Sequence, residues 1–417
     1  MESNGWRECK LINVVQFNPK ESIKKGDMAK KISMDKLESY TRKITGFEIA
    51  KFKGGTKFRN GDTLLARITP CLENGKTAQV GILNKNEVAF GSTEFIVLRE
   101  KLGITDNDFI YYMSISPEFR NLAIRSMNGS SGRQRVQKDV LEECEIKLPL
   151  LKEQKAIAHI LSTLDEKIEV NNQINKTLEK MAQLIFKHWF VDFEFPNEEG
   201  KPYKSSEGKM VESELGMIPE GWKVEELGNL AKKVITGKTP STKNEKNYGN
   251  KYPFITIPDM HNSIFVIKAE RFLSEIGNQT QIKKLLPKNS IMVSCIATVG
   301  LVSINAIPAH TNQQINSVIP KNDEDLYYFY EYLNLIGDKL KTIGSTGSTT
   351  LNVNKTEFEK IKCIYPLSKI VKDFHSLIRS SFEIIKQRQI ENEILIDLRD
   401  TLLPKLMSGE IRVPLNN

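Results

Sequence analysis

Between Pro149 and Phe190 the chain runs for about forty residues with no glycine and no further proline, and this interval constrains the fold more than any other. Within it Ile157, Leu161, Leu164, Ile168, Leu178 and Ile185 are separated by steps of three and four or their sums, which puts them on one face of a helix. At ~1.5 Å per residue that helix would be about 55–60 Å long, and so long an apolar stripe needs a partner. Asn171 and Asn175 fall on the same seam. Polar residues there weaken a coiled coil but fix its register.

The partner is predicted in the same chain. A shift of 217 residues lays Pro149 on Pro366, Ile157 on Phe374, Leu161 on Ile378, Ile168 on Ile385, Asn175 on Asn392, Leu178 on Leu395 and Ile185 on Leu402. The second helix is expected from Ser368 to about Leu403, ending near Pro404 and Gly409. The seam thus comprises the six apolar positions above together with Phe374, Ile378, Ile385, Leu395 and Leu402. Because Asn392 copies Asn175, matched insertions after these two residues are expected to lengthen both helices together.

The rest of the chain repeats as well. Residues 1–148 alternate short apolar runs with Gly-, Asn- and Thr-rich turns, with strands expected at Thr63–Ile68 and Glu94–Leu98 and a helix at Asp108–Met127. Gly221-Trp222-Lys223 answers Gly5-Trp6-Arg7. Ser290–Ser294 and Gln314–Ile319 answer the two strand-like runs, and the loop Gly344–Lys355 answers Asn128–Lys138. The expected organisation is a mixed α/β domain (1–148), a helical spacer (149–195), a linker (196–218), a second mixed α/β domain (219–366) and a second helical spacer (367–410). In this α+β arrangement the two repeated domains are separated by an antiparallel pair of long coiled-coil helices.

Signatures of catalysis are missing. Gly75-Lys76-Thr77 and Gly237-Lys238-Thr239 have Pro70 and Lys232 where a phosphate loop needs its earlier glycine. Neither a Gly-x-Gly-x-x-Gly loop nor a His-Glu-x-x-His pair occurs, and the five histidines are scattered. Asp139, Glu145 and Lys147 loosely match a metal-nuclease trio, but the repeat puts Thr356, Lys362 and Ile364 in their places. Five cysteines without a Cys-x-x-Cys pair read as reduced thiols. No apolar run reaches 18 residues and no charged-then-apolar leader is present, so a soluble cytoplasmic chain is expected. Sixty Lys and Arg against 52 Asp and Glu give a net charge of +8, which mildly favours a polyanionic partner.

What recurs instead is a Gly/Ser/Thr loop followed by polar and basic side chains at the same place in both halves. Small residues let a backbone approach phosphates, while arginine and glutamine can reach base edges, the first typically guanine and the second adenine. The first loop is arginine-rich and the second is not, so two DNA-reading domains built this way would read different sequences.

At this point the chain resembles the specificity subunit of type I restriction-modification enzymes over essentially its whole length. The resemblance rests on Lys152-Glu153-Gln154-Lys155-Ala156-Ile157-Ala158 with Leu161–Ile168, on Glu214–Trp222, on Thr311-Asn312-Gln313-Gln314 and on Gly91-Ser92-Thr93-Glu94-Phe95. It implies two target-recognition domains, each reading half of a split site on double-stranded DNA, with the helices as a ruler. It implies no catalysis and no cofactor in this chain. Two modification subunits that methylate adenine from S-adenosylmethionine, and restriction subunits using ATP and Mg, are the implied partners, with no membrane involved. Candidate DNA contacts are Arg67, Thr69, Arg133, Gln134, Arg135 and Lys138 in the first domain. In the second they are Thr298, Asn312, Gln313, Thr349, Thr350, Asn352 and Lys355. One departure stands out: Lys369-Ile370-Val371 replaces the Lys-Glu-Gln opening of the first helix. The rival readings are a self-contained nuclease or methyltransferase, which lacks its metal trio or cofactor loop, and a coiled-coil scaffold, which leaves two basic domains without a use.

Overall fold

A computed structural model of the chain describes residues 5–130, 132–345 and 351–414, and it divides into two units, Met1–Glu169 with Glu393–Asn417 and Val170–Asn392. Two helices far longer than any other run through Leu151–Phe190 and Ser368–Ser408, and each unit contains part of both.

In the first unit a four-stranded antiparallel sheet is ordered Val15–Phe17, Phe95–Glu100, Thr63–Ala66, Thr77–Gln79. All four residues of Thr63–Ala66 are buried, as expected of a central strand covered on both faces. A second sheet, ordered Glu48–Lys51, Met28–Ile32, Ala89–Gly91, Thr56–Phe58, carries a separate small core around Phe58 and Phe95. The second unit repeats the first sheet as Lys233–Thr236, Ile315–Ile319, Ile291–Ser294, Val302–Asn305 and adds Phe265–Val266 at the edge. The repeat is also kept where chain ends meet: Arg7–Lys10 pairs with Glu145–Leu148, and Lys223–Glu226 with Lys362–Tyr365.

Three sequence expectations change. The helix expected over Asp108–Met127 is two helices, Asn107–Ile115 and Pro117–Arg125. Pro117 has no N–H to continue the first, and the Ser116 hydroxyl accepts from Phe119 N to start the second. The segment read as a plain linker contains a hairpin, Met210–Ser213 with Gly216–Pro219. The second long helix does not stop near Leu403 but passes through Pro404 to Ser408 and ends before Gly409 at φ 77°. A proline inside a helix costs about 3 kcal/mol, whereas burying a leucine returns about 1.5–3 kcal/mol. Leu403 and Leu406 on either side of it are both buried in one cluster with Ile157 and Leu161, so burial wins.

The helices run antiparallel within each unit. In the first, the Arg399 guanidinium lies 2.8 Å from Asp165, which also accepts from the Tyr112 hydroxyl at 2.7 Å. In the second, Asn171 Nδ2 donates to Asn392 Oδ1 at 2.8 Å, while Phe190 packs edge-on to Phe374 at 4.9 Å. Phe374, Ile378 and Ile385 are buried, with Leu178 and Ile185 packed against the same cluster; Leu402 packs beside Ile157 and Leu161. Leu164, Ile168 and Leu395 are half-buried. Asn171, Asn175 and Asn392 are buried polar residues of the second unit. The apolar stripe therefore does not serve a simple two-helix seam: Ile157 and Leu161 share one core with Leu11 and Phe109 of the adjoining domain.

The departure at Lys369-Ile370-Val371 now has a physical reason. Glu153 accepts from Trp6 Nε1 at 3.1 Å and from Arg412 at 2.6 and 2.8 Å, and Gln154 bonds to the backbone of Ile104, Asp106 and Pro149. Ile370 and Val371 instead join an apolar cluster containing Trp222 and Phe190. One helix is anchored by polar contacts, the other by burial.

One buried acid has no such partner. Glu331, only 2% exposed, has an unbonded carboxylate oxygen, and burial together with the nearby Glu179 pushes its pKa up to about 8. The folded chain keeps a proton that the unfolded chain releases at the ordinary glutamate pKa. This contribution to stability is complete at low pH and is lost as pH rises through about 8. Glu331→Gln should therefore gain on wild type by on the order of 2 kcal/mol between pH 5 and pH 8. Urea unfolding at both pH values checks this, and parallel curves would refute it.

Candidate functional site

In the first unit three segments meet at one end of the central strand. Arg67 N donates to Glu94 O at 2.9 Å, Thr69 N to Gln134 O at 3.0 Å, and Val136 N to Arg67 O at 2.8 Å. An isolated bridge joins Ile68 to Arg135. The loop that supplies residues 133–136 turns through Gly129 and Gly132, at φ 133° and 78°, a region open to glycine but strained for other residues.

The second unit builds the same junction from different side chains. Cys295 N donates to Gln314 O at 2.8 Å, Ala297 N to Leu351 O at 3.0 Å, and Val353 N to Cys295 O at 2.8 Å, with a bridge from Ile296 to Asn352. Bond by bond, Arg67 corresponds to Cys295, Glu94 to Gln314, Arg135 to Asn352 and Val136 to Val353. The backbone is repeated and the exposed chemistry is not.

Arg135 Nε lies 3.0 Å from both carboxylate oxygens of Glu94, and Nη2 lies 2.7 Å from one of them. That contact holds the Glu94 carboxyl below its ordinary pKa. Arg133 is exposed and Gln134 half-exposed. Arg67 is half-buried, and its Nη2 donates to Val136 O at 3.2 Å. Thr69 donates its hydroxyl to Glu73 at 3.0 Å. Lys138 is paired with Glu142, and its counterpart Lys355 with Glu359 at 3.1 Å. Such surface pairs are worth at most ~1 kcal/mol, so both lysines can exchange a carboxylate for a phosphate.

In the second unit Thr298 is exposed, and so is Gln313, which accepts from the Thr239 hydroxyl. Asn312 departs from its expected place. It is 8% exposed, donates to Gln314 Oε1 at 3.0 Å and accepts from Gln314 N at 3.1 Å, so it shapes the turn from inside. Asn352 is exposed. Thr349 and Thr350 lie outside the described residues. Two residues of this junction, Glu94 and Gln314, were not singled out for a role from sequence. They stand at matching places before the strands Phe95–Glu100 and Ile315–Ile319, and aligning those strands would have paired them.

Among the described residues no group of three His, Cys, Asp or Glu side chains could hold a metal ion, and no helix is long and apolar enough to cross a membrane. Asp139 is 93% exposed and lies beside Lys138, outside any such cluster.

Two copies of one junction, on domains that share a helix pair, define a class of two-domain recognition protein. Comparison with known proteins identifies that class. The type I restriction modification DNA specificity domain matches residues 3–180 and 219–395, and the chain belongs to that family. It is a specificity subunit with two DNA-specificity domains, non-catalytic, and part of a type I restriction-modification system. It is 35% identical over 406 residues to the HindI specificity subunit of Haemophilus influenzae, covering 85% of this chain and 87% of that one. The MjaIX specificity subunit of Methanocaldococcus jannaschii is 29% identical over 312 residues, covering 74% and 69%. In fold, the crystal structure of the type I system S subunit from M. genitalium matches 100% of this chain and 98% of its own, with TM-score 0.57 and 16% identity.

Proposed function

We propose that each domain reads one half of a bipartite site on double-stranded DNA through its strand-end junction, and that the helix pair sets the unread gap. The observation that carries this reading is the junction itself: identical backbone hydrogen bonds in both domains under different side chains. A repeated frame with variable side chains is what two readers of unlike sequences require. Arg133, Gln134 and Arg135 are the base-reading candidates of the first domain, with Arg67 and Thr69 supporting their loop. Thr298, Gln313 and Asn352 take that part in the second, with Asn312 shaping the turn; Thr349 and Thr350 are further candidates on sequence alone. Lys138 and Lys355 contact phosphates.

The proposed assembly contains two modification subunits, which carry S-adenosylmethionine to adenine, and restriction subunits that use ATP and Mg, all in the cytoplasm. Exchanging residues 1–148 for those of a relative should change one half of the methylated site and leave the other alone. Methylome sequencing of cells carrying the exchanged subunit with its partners reads this directly. A change in both halves, or in neither, would sink the modular reading.

A further inference from the structure

We propose that Glu94 is a positioning residue for Arg135, and that the side chain at this junction sets one base in each half-site: guanine under Arg135, adenine under Asn352. The inference rests on the reading that these loops face DNA.

A guanidinium has five N–H donors. Glu94 engages the edge formed by Nε and Nη2, at 3.0 and 2.7 Å. One Nη1 hydrogen also reaches Arg133 O, at a long 3.5 Å, which leaves the second Nη2 hydrogen and the other Nη1 hydrogen as the pair to meet guanine O6 and N7. Both partners are also fixed through their backbones. Glu94 O accepts from Arg67 N at 2.9 Å, and Arg135 exchanges bonds with Asn128 at 2.9 and 3.0 Å. The arginine side chain remains 43% exposed, so it is held without being covered. An unrestrained arginine would lose rotamer freedom on docking, and here much of that ordering precedes DNA.

The bland alternative is that the ion pair merely supports the fold. The second domain argues against it. There the same backbone bonds form with Gln314 and Asn352 in these positions, and Gln314 Oε1 accepts from Asn312 at 3.0 Å. The junction folds without the charge pair. Asn352, short and exposed, carries the amide that matches adenine N6 and N7.

The test uses the assembled modification complex and a panel of DNA sites varied one base at a time, read by equilibrium binding and by methylome sequencing. Arg135→Ala should relax one guanine position of the first half-site by roughly 5- to 100-fold. Glu94→Ala and the isosteric Glu94→Gln should relax that same position and no other, with Glu94→Asp restoring part of the preference. Asn352→Ala should relax an adenine position in the other half-site. The double variant Glu94→Gln with Arg135→Asn should move the first preference from guanine toward adenine. If Arg135→Ala relaxes the position but neither Glu94→Ala nor Glu94→Gln does, or if both only tighten binding to every site alike, Glu94 is a counter-charge and the proposal falls alone. If Arg135→Ala leaves binding and specificity untouched, the DNA-facing reading of the loop falls with it.

Discussion

Inserting four residues after Asn175, matched by four after Gln387, should lengthen the unread spacer of the recognised site by one or two base pairs and leave both half-site sequences unchanged. Four residues add about one helical turn and ~6 Å, close to two base pairs at ~3.4 Å each. The place of the second insertion comes from the packing. Asn171 and Asn172 are bonded across to Asn392, so in an antiparallel pair Asn175 stands opposite the turn at Arg388. An insertion after Asn392, the repeat-related site, would sit about one turn away from its opposite number and part Asn171 from Asn392. Two inserted residues would instead rotate the stripe by about 200° and should abolish assembly. Methylome sequencing measures the spacer, and an unchanged spacer in a folded four-residue variant would end the idea of a helical ruler.

Phe374→Ala should destabilise the second unit by about 3–5 kcal/mol, the cost of emptying a well-packed aromatic site. The ring is fully buried and lies 4.9 to 5.9 Å from those of Phe190, Phe186 and Trp189. These neighbours belong to the other long helix, so the cavity would loosen the helix pair at the end where it joins its domain. Leu377→Ala, one turn along at 51% exposure, should cost ~0.5 kcal/mol or less. Denaturant unfolding of the two variants separates the outcomes. A loss below ~1 kcal/mol for Phe374→Ala would mean that the aromatic cluster repacks and does not hold the helices.

Much of this architecture could be read from residues alone, because its determinants are local. A forty-residue interval without helix breakers and with apolar steps of three and four can satisfy its backbone and bury its stripe in few ways, and the second copy names the partner. The repeat carried the domain order for the same reason: Gly-Trp, strand patterns and small-residue loops recur at a near-constant offset. The Ser116-Pro117 break was present in the sequence too, since a proline without its N–H and a capping hydroxyl are local signals.

What only the tertiary structure decided depends on partners distant in sequence. Pro404 stays helical because Leu403 and Leu406 are buried with Ile157 and Leu161, a balance that local propensity does not contain. Glu331 lies buried beside Glu179, more than a hundred residues away, so its proton affinity was invisible. The junction of Arg67, Glu94 and Arg135 is assembled by a backbone hydrogen bond across a sequence gap of 27 residues and a side-chain ion pair across 41, and no spacing rule brings those segments together. Sequence patterns determine which surfaces must be buried and how long each element runs. Which charges then meet is set by packing, where a carboxylate 3 Å from a guanidinium and one buried beside a second glutamate look alike in one dimension.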